Sequence, residues 1–303
     1  MFSRKLNLGG SPSIAQFEKL MILQSRLESF RRRSISPPDS LHDLEYSVFS
    51  QFGDDGIIEY LATRLPKAYR TFVEFGVEDY SESNTRLLLQ RDNWSGLVFD
   101  GSEKNIHSIT SSSYFWKHDL KAVHAFITCE NINHLLESNG LQRTVGILHI
   151  DIDGVDFWVW KAIQVIQPLL IIVEYNALFG STEPVSVPYD PMFFRFDMHH
   201  SGLYAGASLP AFLHLANERS YNFLGSNSAG NNAYFLHRSI ESPVPIATIE
   251  SGYVKSKFRE ARDGKGNLTL RPPQECFAML GELPLINVAT GTELKCSQLR
   301  EDD

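Results

Sequence analysis

Residues 146–176 read GILHIDIDGVDFWVWKAIQVIQPLLIIVEYN, a strand, a helix and a second strand with every sharply polar residue at a strand end. The run 146–150 is apolar and β-branched enough for a strand buried on both faces, and it breaks into Asp151-Ile152-Asp153-Gly154. Strand side chains alternate with a period of two, so Asp151 and Asp153 share a face if the backbone stays extended, and Gly154 releases the turn. The helix that follows takes its bulk from Phe157, Trp158, Trp160, Ile163 and Ile166, and Gln167-Pro168 stops it. Residues 169–173 form the second buried strand, and the same period puts Glu174 and Asn176 on one face. A right-handed crossover makes the two strands parallel, and ligands of an open parallel sheet bind outside the carboxyl ends of its strands. Asp151, Asp153, Glu174 and Asn176 are therefore expected to line one crevice, where their hard oxygen atoms suit Mg2+ or another divalent cation. An isolated strand-end aspartate usually caps a turn, but four polar residues at two neighbouring strand ends point to a site.

Upstream, 71–78 (TFVEFGVE) predicts another strand, with Glu74 placed to accept hydrogen bonds from a positively charged amine and Gly76 to let a ligand approach the backbone. Strand 96–100 ends in Asp100, spaced from the glycine as an acidic residue that binds ribose hydroxyls would be. Tyr114-Phe115-Trp116 suggests a short third strand, after which Asp119 could meet an adenine edge or cap a turn. Ser50 to Gly56 opens a helix running to about Leu65; Gln51 and its neighbouring amides either touch a cofactor or only cap. GxGxxG is absent, which removes the best support for a nicotinamide enzyme.

The net charge of −8, with pI near 5.7, argues against a nucleic-acid partner, which needs a basic surface, and favours a small or neutral acceptor. The apolar runs are strand-sized and the N-terminus lacks a signal-peptide core, so no membrane span and a cytoplasmic location are expected. Cys129, Cys276 and Cys296 are too few and too scattered for a disulfide framework or a zinc site.

Residues 13–33 carry Ile14, Phe17, Leu20, Met21, Leu27 and Phe30 at helical spacing and end in three arginines, which suit a helix C-terminus; this predicts a docking helix. The expected organisation is an N-terminal helix and linker over 1–40, a main domain over 41–240 with a lid insertion at about 177–206, and a Pro- and Gly-punctuated extension over 241–303. In the lid, His199 and His200 are candidates for the base that takes a hydroxyl proton, alongside solvated roles. Residues 221–225 and 232–237 read as two strands joined by a hairpin-like turn.

Taken together, VEFGVEDYSESN (73–84), GLVFDGS (96–102), KHDL (117–120), ILHIDIDG (147–154) and IIVEYN (171–176) resemble the strand-end motifs of class I S-adenosylmethionine-dependent methyltransferases. Within that class, IDIDGVDFWVWKAI resembles the FkbM-like group, and SQFGDDGII followed by VEFGVED resembles bacterial methyltransferase-like proteins associated with surface glycans. The resemblance implies an α/β, Rossmann-like sheet, mostly parallel with a reversed last strand and helices on both faces. It implies S-adenosyl-L-methionine as cofactor, with Glu74 and Gly76 beside its methionine part, Asp100 on the ribose and Asp119 at the adenine; Gln51 and Asp151 are expected, from their own positions, to line the same site. The implied activity is O-methylation of a sugar-like or other small polar acceptor, with Asp153 among the catalytic residues; a homo-oligomer is left open. Asp151 or Asp153 with Glu174 and Asn176 is similar to the magnesium site of catechol- and macrolide-type O-methyltransferases. The chain departs from the pattern at Tyr80, where the first loop usually has another glycine, in the two-residue spacing of Glu174 and Asn176, and in having no lysine three residues after Asp151. These departures keep open a non-catalytic, partner-binding scaffold.

Overall fold

Asp100 and Ile150 each end a parallel strand of one seven-stranded sheet, and the ends of those strands define one edge of it. The computed structural model describes residues 13–33 and 37–299. The chain divides into two compact units, the second beginning at Pro37. In the first, α1 (Ile14–Arg33) matches the helical spacing, but Ile14, Phe17, Leu20, Leu27 and Phe30 are exposed and the buried residues are Ser25 and Ser29.

In the second unit, β1 (Thr71–Phe75), β2 (Ser95–Asp100), β3 (Leu120–His124), β4 (Arg143–Ile150) and β5 (Ile166–Glu174) are joined by β7 (Tyr221–Ser226) and β8 (Asn232–His237). The strand order is β3-β2-β1-β4-β5-β8-β7, in which β8 runs opposite to the other six strands. This is a mostly parallel, Rossmann-like sheet with a reversed last strand. Alternation along the strands feeds two cores. Phe75, Phe99, Leu148, Ile150 and Val173 face α5 (Ile132–Ser138), α6 (Asp156–Ala162) and α8 (Leu209–Glu218), where Trp160 packs among Phe212, Tyr221 and Phe235. Phe72, Val98, Ile147 and Ile172 face α2 (Asp54–Ala62), α3 (Arg86–Asp92) and α4 (Glu103–Ser111).

Three local expectations are corrected. Tyr114-Phe115-Trp116 is not a strand: residues 115–117 form a 3-10 turn, and β3 begins at Leu120 and carries the β-branched Val123. Helix α6 stops at Ala162, and Ile163 is already extended, so Ile166 opens β5 instead of closing the helix. Pro168 is tolerated within β5 because the β8 ladder starts only at Leu170, leaving that side of the proline without an N–H partner to satisfy. The segment between β5 and α8 contains β6 (Val185–Ser186), which pairs with β9 (Pro284–Asn287), and β9 pairs with β10 (Glu293–Lys295) in a second, three-stranded sheet. The insertion and the C-terminal residues are thus sewn together.

Candidate functional site

The carboxyl ends of β1, β2, β4 and β5 open into a cleft of about 730 Å³ whose walls include Gln51, Glu74, Gly76, Asp100, Asp151, Asp153 and Glu174. Gly76 is there for a packing reason. Its φ is +72°, and a side-chain carbon would lie 1.6 Å from the Asp151 carbonyl oxygen, so the ends of β1 and β4 can meet only at a glycine.

Glu74 does not await a ligand amine. Its carboxylate accepts from Ser83 Oγ (2.6 Å), the Asn84 amide (3.0 Å), Thr85 and His149 Nδ1 (2.9 Å). Burial pushes this carboxyl up, but the hydrogen bond and charge of His149, with Ser83 and Thr85, outweigh it and hold Glu74 below its ordinary value. His149 sits opposite Glu74 in the β1–β4 register and its Nε2 lies 3.1 Å from Asn84 Nδ2. The pair pins the loop after β1 to β4. Tyr80, in that loop, takes a left-handed φ of +65°; its fully buried ring and the 3.0 Å contact of its hydroxyl with Thr85 offset the strain. This replaces the extra glycine of the resembled loop.

Asp100, buried at the end of β2, accepts from the amides of Glu78 (2.8 Å) and Ser102 (2.8 Å) and from Asn105 Nδ2 (3.0 Å). Asp119 is misplaced for an adenine contact: it precedes β3, its carbonyl accepts the amide of Gly96 at the start of β2, and it is exposed at the amino edge. The end of β3 instead brings Ala125, Phe126 and Ile127 to the cleft.

Asp151, Asp153 and Glu174 each bring a ligand oxygen within 4.8 Å of the others. The grouping does not come from strand alternation alone, since β4 ends at Ile150 and Asp153 has a left-handed φ of +54°. Burial and the neighbouring Glu174 push Asp151 well above the carboxylate range; burial, then Asp153, Asp156 and Glu260, push Glu174 up to about 8. Asp156 opens α6 and is spent on the amides of Ile152 (2.9 Å) and Gly154 (3.0 Å), which shapes the turn. Asn176 is not a ligand of this group. Its Nδ2 donates to the carbonyls of Leu203 and Ala205, each at 2.9 Å, and its Oδ1 accepts the Leu178 amide (3.0 Å), because the chain turns into a 3-10 helix after β5.

Neither His199 nor His200 lines the cleft. They follow the four-residue helix α7 (Arg195–Met198), and His199 Nδ1 lies 2.7 Å from Ser201 Oγ. The cation that does reach the acids is Arg195, 2.6 Å from Asp153 and 3.7 Å from Glu260. Sequence reasoning missed His149, Arg195, Glu260, Asn232 and Phe258. Only His149 had a signal, a lone titratable residue two positions before Asp151 in an apolar strand. Phe258 packs on Phe52 with ring centroids 4.9 Å apart and closes the cleft from the C-terminal residues.

No protein-family model matches the chain, and no curated protein matches it. Solved structures do. The N-terminal domain of EvdMO1 with SAH bound is 10% identical over 70% of this chain and 94% of that one, with a TM-score of 0.40. An O-methyltransferase from Bacillus cereus in complex with SAH is 14% identical over 76% and 93%, with a TM-score of 0.38. The O-methyltransferase TomG from Streptomyces achromogenes, in complex with SAM, is 14% identical over 76% and 92%, with a TM-score of 0.40. Likeness at this level carries nothing about the chemistry of this chain.

Proposed function

We propose that the protein is an S-adenosylmethionine-dependent methyltransferase that O-methylates a sugar-like or other small polar acceptor in the cytoplasm. The observation that supports this most is the position of Asp100. It ends the second strand of a sheet of this order, beside a cleft large enough for a nucleoside with an amino-acid tail, with Phe126 and Ile127 as an apolar wall for a base. Bound there, the cofactor supplies a methyl group on a positively charged sulfur. Asp100 orients the ribose, and Gly76 keeps the floor low. The Glu74–His149 pair acts by holding the 81–85 loop, not by touching the amine.

The insertion, with Phe193, Phe194 and Phe196, forms the acceptor side and positions an acceptor hydroxyl in line, which supplies much of the rate in such transfers. Asp153, outermost of the three acids and ion-paired to Arg195, is the residue placed to receive the hydroxyl proton. Asp151, Asp153 and Glu174 also fit a hard divalent ion by donor chemistry, and such an ion would lower the pKa of the acceptor hydroxyl. Arg195 is its competitor for Asp153.

Titration calorimetry with S-adenosylhomocysteine tests the reading: a saturable heat is expected, and none at millimolar ligand ends it. The Arg195–Asp153 pair, which closes the acid site on itself, favours a second reading as a non-catalytic scaffold. Cofactor binding without methyl transfer to any member of a glycan panel is the outcome that would favour it.

A further inference from the structure

The side chains lining the cleft include nine carboxyl groups, those of Asp54, Glu74, Glu78, Glu82, Asp100, Asp151, Asp153, Glu174 and Glu260, against the guanidinium groups of Arg195 and Arg259. Asp54 accepts from Asn227, Asn232 and Tyr234, and Glu74 from His149 and the 83–85 loop. Arg195 is committed to Asp153 and Glu260, while Glu78 and Glu82 stand exposed on the wall. The lining is acidic in excess, nine carboxyl groups against two guanidinium groups.

A separate observation concerns neutral polarity. Asn232 is 3% exposed and stands on the cleft wall opposite Glu174 in the β5–β8 register. Its Nδ2 donates to Asp54, but its Oδ1 is buried with no hydrogen-bond partner. A buried acceptor left open beside a cleft calls for a donor from a ligand.

Resting on the reading of this cleft as the cofactor site, we propose that it selects the charge of the cofactor: S-adenosylmethionine, net positive through its sulfonium, binds more tightly than S-adenosylhomocysteine, its net-neutral product. Methyl transfer removes the positive charge from sulfur, so the same field that draws the substrate in ceases to hold the product. A net excess of a few negative charges, acting through largely aqueous screening, makes the preference of order tenfold at low salt. Product release is thereby built into the electrostatics of the wall, with Glu78 and Glu82 as exposed contributors.

The test is calorimetry on the full chain with chelator present, at about 20 mM and about 500 mM salt, using three probes: S-adenosylmethionine, S-adenosylhomocysteine and sinefungin, whose amine keeps a positive charge where the sulfonium stood. Both cationic probes are expected to bind about tenfold more tightly than S-adenosylhomocysteine at low salt, with the advantage shrinking towards unity at high salt. In Glu78→Gln/Glu82→Gln the preference is expected to fall two- to threefold, and an unchanged preference at low salt would overturn the charge selection. Equal or tighter binding of S-adenosylhomocysteine at low salt would overturn the charge selection and leave the cofactor reading standing. Absence of binding by all three would overturn both.

Discussion

Replacing Glu174 with glutamine isolates the coupled acids, because the substitution keeps the shape of a protonated carboxyl and removes its titration. Glu174 ordinarily ionises near 4.5 and is held at about 8 here, by burial first and then by Asp153, Asp156 and Glu260. A group whose folded pKa is raised gives stability that is complete below its unfolded pKa and is lost as pH rises through the folded one. For Glu174 that window runs from 4.5 to about 8. At about 1.4 kcal/mol per pH unit the full loss is roughly 5 kcal/mol; Glu174 is half-buried and interacts with Asp151, so about 2 kcal/mol is the working figure. Glu174→Gln and the wild type should therefore have similar unfolding free energies at about pH 5. By about pH 9 the variant should be more stable by about 2 kcal/mol. Urea unfolding across this range, with chelator present, measures it. Parallel pH profiles would refute the reasoning, since they would mean that Glu174 stays ionised and is neutralised by Arg195.

Three further outcomes follow from the same geometry. Gly76→Ala should cost more than about 4 kcal/mol, because the new methyl meets the Asp151 carbonyl and the backbone is left-handed; a wild-type thermal midpoint would contradict this. Arg195→Gln should tighten Mg2+ binding, by roughly tenfold for one removed competing charge, and the affinity should rise with pH to about 8 as protons leave the acids; calorimetry with the metal alone reads both. Trp160→Ala should destabilise the fold by about 3–5 kcal/mol, read from denaturant midpoints, since its ring is 1% exposed among Phe212, Tyr221 and Phe235.

The sheet was legible because its central strands are apolar on both faces and end in a sharp polar break, a pattern of local origin. Glu74, Asp100, Asp151 and Glu174 fall at such breaks, and each lines the cleft. What was not legible depends on where the chain goes after a break. Asn176 looks equivalent to Asp153 in spacing, yet a 3-10 turn after β5 spends its amide on Leu203 and Ala205, while a left-handed residue after β4 keeps Asp153 at the site. Asp119 is expected beyond a strand end because Tyr114-Phe115-Trp116 reads as a strand; β3 instead begins at Leu120, so Asp119 falls at its start. Arg195, Phe258 and Glu260 arrive through contacts of long sequence separation, on segments without periodicity, and no window of sequence announces them.

The pairing of β6 with β9 has a consequence for biosynthesis. Every strand of the large sheet is encoded before residue 238, whereas Phe258, Glu260 and Leu268, and the partner strand that anchors the insertion, come later. On the ribosome the parallel sheet and its Asp100 edge can assemble while the insertion still lacks β9, because domains tend to consolidate from the N-terminal side during synthesis. A nascent chain folding in that order has a nucleoside-sized groove and no roof, in which Asp153 and Arg195 can pair before Glu260 has left the ribosome.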